Sequence, residues 1–348
     1  MASTIPKLAD LLGKDYRFSF VGEGAANLVF EVHPQSAGAE ETGTDTKSVL
    51  KGHLLRVPKA GTQAYKHEDL QHYWETSVRP LFEEDDLVQQ HLVRLTNDIA
   101  SHLNAALQGD EAGRREDFKG SQVADAEFGM LVEDMRKKNP DDLVLEFKPK
   151  WLAQSPNAPP AATRCRNCAR EASRKIKATT VANTNTTNNT PPSSSMLCPF
   201  DFLECRHDQN ALERVLGYLA GSSGSSTSSI TQQHQHDRLA QWLRTNELLP
   251  RLRTAQLDND SLGPLDADID DPKFLLVMTL RDCTCFVRVP ATASEPIEAK
   301  LADLDKKNGE AKLSYWQATE RRLVDKGYYF GTERPYQITD CQLLRQGN

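Results

Sequence analysis

The stretch DLVLEFKPKW, residues 142–151, constrains the fold of this chain more than any other. Leu143, Leu145 and Phe147 alternate with Val144, Glu146 and Lys148, the period-two pattern of a half-buried strand. Pro149 has no N–H to give a neighbouring strand, so the strand must lie at a sheet edge or stop there. Glu146, Lys148 and Lys150 then line one side of a strand that is running out. Alternate side chains on a strand are about 6.6 Å apart, a spacing at which two ammonium groups can meet different phosphates of one ligand.

Charge along the chain sharpens that reading. The 348 residues sum to −7, which argues against wholesale coating of nucleic acid. Yet Lys148, Lys150, Arg164, Arg166, Arg170, Arg174, Lys175 and Lys177 are opposed between 148 and 177 only by Glu171, a local excess of seven positive charges. A solvated basic helix explains such a run on its own, and an anionic ligand explains it together with the strand end beside it. No apolar run nears the roughly 20 residues that span a bilayer, and the N-terminus lacks a signal-peptide core. Seven cysteines, odd in number and unevenly placed, favour reduced thiols. The expectation is a monomer of the nucleus or cytoplasm, with no nucleic-acid or membrane partner.

The pattern of elements is mixed. FSFVGEGAANLVFEV (18–32) reads as strand, Gly-rich turn, strand; HLLRVPK (53–59) as a strand; 65–82 as helix; FGMLVEDM (128–135) as a buried strand. HDQNALERVLGYLAG is an amphipathic helix with Leu212, Val215, Leu216 and Leu219 on one face, and 239–253 a second helix. KFLLVMTLRDCTCFVRV (273–289) reads as two apolar strands around a polar turn, IEAKLADLDKK as a strand ending in acids, and AKLSYWQATERRLVDKGYYF as a closing helix. Three polar tracts, 34–48, 178–195 and 221–237, are too poor in large apolar residues to offset the entropy of ordering themselves, and read as surface insertions. The fold class is α+β in two lobes, 1–140 and 141–348.

Several residues are suited to phosphoryl transfer. In GEGAANLVF (22–30), small residues at Gly22, Gly24, Ala25 and Ala26 would let backbone N–H groups approach a phosphate, with Asn27 adding a side-chain donor. Gly-rich hairpins are common, and no Gly-Lys-Ser/Thr follows, so this is not a Walker loop. The order adds weight: a Gly-rich hairpin, a strand bearing Arg56 with Lys59 behind it, then a hinge-like strand is the order of a kinase small lobe. Asp282 in RDCT suits an acid that positions or deprotonates an acceptor hydroxyl. Asp303 and Asp305 in DLD could share a hard cation such as magnesium, although taken alone DLD is better read as a solvated strand terminus. His-Arg-Asp, Asp-Phe-Gly and Ala-Pro-Glu are all lacking, so an ordinary protein kinase is excluded.

Together GEGAANLVF, LLRV, LEFKPKW, CPFDF (198–202), RDCT and DLD resemble the inositol-pentakisphosphate 2-kinases of the fungal type. EFKPK fits that family's Glu-x-Lys-Pro-Lys motif, and RDCT varies its Lys-Asp-Cys-Ser, with Arg281 and Thr284 substituted. The resemblance runs from Gly22 to about Tyr315. It implies a two-lobed inositol-polyphosphate-kinase fold distantly related to protein kinases. The implied activity is transfer of the ATP γ-phosphate to the 2-hydroxyl of inositol 1,3,4,5,6-pentakisphosphate, giving hexakisphosphate (phytic acid). It further implies nucleotide contacts from Gly22, Gly24, Asn27 and Arg56, and adenine at a hinge of Glu133, Asp134 and Met135. Asp282 would be the base, Asp303 and Asp305 the magnesium ligands, and Lys148, Lys150, Lys307 and Tyr315 the grip on substrate phosphates. Where the family pattern places an arginine eight residues after Asp303, this chain has Ala311, then Lys312.

Physical pattern supports more of that grip. Lys312, Tyr315, Thr319 and Arg322 share one face of the closing helix beside an apolar stripe of Leu313, Trp316 and Leu323. Arg170 and Arg174 belong to the basic run. Cys165-x-x-Cys168 is half of a zinc motif, but Cys198, Cys205 and His207 follow at irregular spacing, so buried thiols behind substrate-facing arginines are the favoured reading. A non-catalytic polyphosphate binder on a degenerate kinase scaffold would have no use for Asp282, Asp303 and Asp305, which repel its ligand. A kinase for another small alcohol would leave the basic cluster unexplained.

Overall fold

The computed structural model describes residues 5–12, 16–34, 50–62, 65–96, 98–182, 196–223, 230–260 and 262–346. The chain divides into two compact units, one of residues 1–80 and 87–136, the other of 81–86 and 137–348. Both are mixtures of helix and antiparallel strand, an α+β chain.

The first unit is built on a five-stranded sheet of order β1-β2-β3-β5-β4, with β1 Tyr16–Glu23, β2 Asn27–Pro34, β3 His53–Pro58, β4 Gln90–Arg94 and β5 Phe128–Glu133. Every pairing is antiparallel. The register of β1 against β2 slips between Phe20 and Gly22, a bulge that twists the hairpin just before its turn. Alternate residues Leu28, Phe30, Leu55, Val57 and Leu131 point to one face, where Ile99, Leu103 and Leu107 of the helix Ile99–Gly109 close a buried core.

The second unit carries a three-stranded sheet, β6 Leu143–Phe147, β7 Thr284–Val289 and β8 Glu298–Ala302, in the order β6-β7-β8. β6 is an edge strand and ends at Phe147, so Pro149 falls where its missing N–H breaks no ladder. Helices Arg166–Ala182, Gln209–Ser223, Ile230–Thr245, Leu248–Asp258, Pro272–Leu280 and Gly309–Asp325 make up most of the remainder.

Several expectations need correction. Residues 272–280 are a helix, not a strand: Asp271 caps it by accepting from Lys273 N at 2.9 Å, and Pro272 occupies its first turn. Phe274 through Leu280 are all buried, so every face is apolar and the 3.6-residue period that would announce a helix is erased. The tracts read as insertions are partly helical, over 178–182, 221–223 and 230–237, while 35–48 and 183–195 lie outside the described residues. His234 and His236 accordingly sit on a helix. What docks that helix is a polar side chain: buried Gln235 donates from Nε2 to the carbonyls of Asp141 (2.9 Å) and Val289 (3.0 Å). The single helix expected over 239–253 is two. Asn246 divides them, its Nδ2 donating to Trp242 O (3.2 Å) and its Oδ1 accepting from Leu249 N (3.1 Å).

Candidate functional site

The first unit places the proposed nucleotide residues around its hairpin. Gly24 N donates to Asn27 O at 2.9 Å and Lys59 N to Ala26 O at 2.9 Å, which fixes the turn. A Cβ at Gly22 or Gly24 would meet nothing within 4 Å, so the space over these two glycines is open. Asn27 turns its Oδ1 toward Nε2 of His67 at 3.1 Å. Arg56 stands on β3 opposite Val29 of β2 and Met130 of β5. Lys59, read behind Arg56 in the small-lobe order, is buried, its ammonium 2.7 Å from Glu23 and 3.8 Å from the centroid of Phe118. Arg114 grips both oxygens of the same Glu23 at 2.8 Å. Glu133 accepts from Gln89 N at 3.1 Å, Asp134 pairs with Arg136, and Met135 is buried at the end of the unit.

In the second unit three lysines converge on one carboxylate. Asp282 follows the buried helix Pro272–Leu280 directly and precedes β7, so packing on both sides fixes its backbone. Lys150 Nζ lies 3.2 Å and Lys148 Nζ 3.6 Å from its Oδ1, and Lys307 Nζ lies 3.1 Å from its Oδ2. Lys148 also donates to Asp282 O at 2.7 Å and pairs with Asp303 at 2.8 Å. Burial alone would push the Asp282 carboxyl up, but the ammonium groups of Lys307, Lys148 and Lys150 outweigh it and hold it at about 2. Burial pulls Lys150 below the ordinary lysine value against the attraction of Asp282. For Lys148 the pairing with Asp303 and Asp282 overcomes burial and raises it.

The backbone at this cluster is unusual. Among the described residues, Lys150 (φ 62°) and Asp303 (φ 56°) are the non-glycine residues of positive φ, a conformation that costs about 1–2 kcal/mol in an ordinary residue. Gln256, wholly buried, holds the first of them: its Nε2 donates to Lys150 O at 2.8 Å and its Oε1 accepts from Leu152 N at 2.8 Å. Asp303 follows the end of β8 and is exposed, while Leu304 beside it is buried and anchors the turn. Asp305, half-buried, has its carbonyl fixed by Thr279 Oγ1 at 3.0 Å.

Next to the cluster opens a cavity of about 260 Å³. Its charged lining is six basic side chains, Lys150, Arg166, Arg170, Arg281, Lys307 and Lys312, and a single carboxylate, Asp282. Tyr315, Thr319 and Trp316 complete it from the helix Gly309–Asp325. Arg170 donates to Tyr315 Oη at 3.0 Å, and chiefly that bond draws the phenol below its ordinary value. The floor is Trp151, stacked between two guanidinium groups, Arg281 at 3.4 Å and Arg166 at 3.9 Å from its centroid. Arg281 pairs with Asp260 at 2.6 Å, and Arg166 with the buried Glu320 at 2.6 Å. Arg281, Asp260, Glu320 and Gln256 support the site, and no motif announced the last three. Asp260 lies in DNDS, Glu320 in TERR and Gln256 in TAQLD, so nothing in the local sequence marks them as buried supports.

The structure thus brings together Lys148, Lys150, Asp282, Asp303 and Lys307, and adds Arg170, Lys312 and Tyr315 around the cavity. Lys312 supplies a cation beside position 311, where the expected arginine is absent; Ala311 N serves the cap, donating to Asn308 Oδ1 at 3.1 Å. Arg174 is exposed a turn beyond Arg170 and does not line the cavity. Glu146 is exposed in β6, opposite Phe286, and does not join the cluster. A larger cavity of about 390 Å³, beside β6, is walled by Leu216, Leu219 and Leu239 and holds none of these residues.

Cysteines gather elsewhere in the same unit. Cys165, Cys168, Cys198 and Cys341 are buried with their sulfurs all within 4.8 Å of one another. The set differs from the one read in the motifs: Cys341 joins it, and Cys205 and His207 do not. No helix among the described residues is long and apolar enough to cross a membrane.

A small cavity lined by cations, with one ionised carboxylate at its edge, has the chemistry to suit a small polyanion and offers a group placed to orient a hydroxyl. The family model for inositol-pentakisphosphate 2-kinase matches residues 20–322, and the chain belongs to that family. It is also similar to a curated inositol-pentakisphosphate 2-kinase of Yarrowia lipolytica (strain CLIB 122 / E 150), 29% identical over 208 residues. Those residues make up 59% of this chain and 58% of that protein, so the match spans less than two thirds of the relative.

Proposed function

We propose that the chain transfers the γ-phosphoryl group of ATP to the 2-hydroxyl of inositol 1,3,4,5,6-pentakisphosphate, forming the hexakisphosphate. The observation that carries this reading is the convergence of Lys148, Lys150 and Lys307 on Asp282 at the margin of a cavity lined by six basic side chains. A pentakisphosphate needs many charge-assisted donors, and the reaction needs one carboxylate among them. The two compact units correspond in this reading to a nucleotide lobe and an acceptor lobe, in the manner of a fold distantly related to protein kinases.

Each residue then has a chemical task. Gly22 and Gly24 leave open space for phosphate oxygens, with Asn27 and Arg56 beside them, and Glu133 to Met135 offer backbone groups to adenine. Lys148, Lys150, Lys307, Lys312, Arg170 and Tyr315 bind the acceptor's phosphates. Asp282 accepts the proton of the 2-hydroxyl as that oxygen attacks phosphorus. While its lysines are paired to it the carboxylate is a weak base; when they turn to substrate phosphates its basicity rises, so binding itself prepares the base. Asp303 and Asp305 would hold magnesium, since exposed carboxylate oxygen at the end of β8 suits a hard cation. That ion, when bound, neutralises charge on the transferring phosphoryl group.

Incubation with ATP, magnesium and the pentakisphosphate, followed by separation of products by charge, tests the reading. A species with one more phosphate is expected; unchanged acceptor with intact ATP refutes it.

A further inference from the structure

We propose that Arg114 is a positioning residue for the nucleotide loop: acting through Glu23, it straps the segment 111–123 to the tip of the β1–β2 hairpin and fixes the shape that receives the nucleotide's phosphates. The inference rests on the nucleotide reading of this hairpin proposed above. From Gly22 to Ala26 the chain runs GEGAA, so Glu23 has the only side chain at the tip longer than a methyl group. Gly22 and Gly24 border open space, whereas the Glu23 side chain between them is 5% exposed and turned into the protein. Whatever anchors this tip by its side chains must therefore hold Glu23.

Arg114 does so with its whole guanidinium group. Nε and Nη2 donate to the two oxygens of Glu23, each at 2.8 Å. Nη2 also donates to Phe118 O at 2.7 Å, and Nη1 donates to Glu111 Oε2 at 2.6 Å and Ser121 O at 3.3 Å. Those bonds use all five N–H donors of an arginine, so the side chain is committed to the protein and has none left for a ligand. Lys59 adds its ammonium 2.7 Å from the same carboxylate, at the end of β3. Arg114 above all, and Lys59 after it, hold the Glu23 carboxyl below the ordinary glutamate value against the pull of burial. An unpaired carboxylate beside the tip would repel a triphosphate; this one is neutralised before the ligand arrives.

The far side of the strap is itself anchored. Glu111 Oε1 accepts from Gly120 N at 2.8 Å, which closes the two short turns Glu111–Gly113 and Glu116–Phe118 on each other. Val123 N donates to Asn104 Oδ1 at 2.9 Å, and Ala60 N to Gln122 O at 2.9 Å, tying the segment to the helix Ile99–Gly109 and to the chain leaving β3. Arg114 thus joins a fixed support to a tip with few contacts of its own. A loop competent for only a tenth of the time binds its ligand about tenfold more weakly, which is the penalty this contact prevents.

The test is initial-rate kinetics of the full chain, with ATP and the pentakisphosphate varied in turn. Arg114→Met should raise KM for ATP about tenfold and leave KM for the acceptor unmoved. Arg114→Lys keeps the charge but not the two-pronged bond, and should fall between wild type and Arg114→Met; it carries the comparison if Arg114→Met fails to fold. Glu23→Gln should also raise KM for ATP, and Arg114→Met in that background should add little, because the two residues act in series. A fall in kcat with both KM values unmoved marks a merely structural role and overturns the proposal. So does a raised acceptor KM, or full multiplication of the Glu23 and Arg114 effects, since Arg114 would then act other than through Glu23. Gly24→Val, which fills the open space, should raise KM for ATP independently of Arg114. If it does not, the nucleotide reading of the hairpin fails and takes this inference with it. If it does while both Arg114 variants leave KM for ATP unchanged, this inference alone fails.

Discussion

Replacing Asp282 by asparagine separates the two roles of the lysine cluster. Its carboxyl is held at about 2, against an ordinary value of 3.8. That difference amounts to about 2.4 kcal/mol of preference for the carboxylate. The side chain is 48% exposed, so solvent screening reduces the net attraction to about 1 kcal/mol. A folded-state value below the unfolded one means this contribution is complete above the ordinary carboxylate range and is lost as pH falls through about 2. At neutral pH Asp282→Asn therefore removes about 1 kcal/mol from folding, a small shift of the thermal midpoint. The same energy is what an incoming phosphate must displace from the lysines. Its removal should tighten binding of the pentakisphosphate, measured by isothermal titration calorimetry, by up to about fivefold. Turnover should fall by about 10²–10⁴, the usual worth of a positioned base. Turnover within a few-fold of wild type refutes Asp282 as the base. Binding weakened tenfold refutes the competition between carboxylate and substrate.

Lys307→Met should raise KM for the acceptor, and it also removes the cation that most lowers Asp282, so the acid limb of the kcat/KM profile should move to higher pH; an unmoved limb contradicts the pairing. Asp303→Asn should lower kcat and raise the magnesium concentration needed for half-maximal rate, read from metal titrations at saturating ATP. Lys150→Gly and Lys150→Ala should lose acceptor affinity alike, while Gly, free of the strain at φ 62°, is more stable than Ala by about 0.5–1 kcal/mol in urea unfolding. Glu320→Ala strands buried Arg166 without its partner and should cost about 3–5 kcal/mol, far more than any surface pair, measured by chemical denaturation.

Much of this architecture is legible in the sequence where a pattern has one physical cause. The strand end at Phe147 was readable because Pro149 permits no continuation, and the hairpin over Gly22 to Ala26 because a run of small residues separates two short apolar runs. The helix Pro272–Leu280 was not, because burial on every face removes the period that distinguishes it from a strand. Helix in the polar tract over 230–237 was hidden for the opposite reason: its anchor is Gln235, and a glutamine that satisfies two carbonyls looks like any surface glutamine. The four-cysteine cluster was half visible. Cys165 and Cys168 announce themselves by spacing, but Cys341 lies 173 positions beyond Cys168 (341 − 168), and only the fold brings it back.

The candidate site was legible in its residue types and not in its geometry. Alternation along β6 suggested two ammonium groups about 6.6 Å apart on one face of a strand. Instead the chain leaves the strand at Phe147, turns through a left-handed Lys150, and aims both ammonium groups at one carboxylate. Asp303 does the same at the end of β8. Neither residue is glycine, which would adopt that backbone freely, so each position retains a charged side chain at a cost of about 1–2 kcal/mol. Glycine would relieve that cost and remove the charge. The strain is tolerated because Gln256 grips the backbone of Lys150 and Leu304 is buried beside Asp303. Those supports are why opposite charges meet here, and they come from residues that carry no motif.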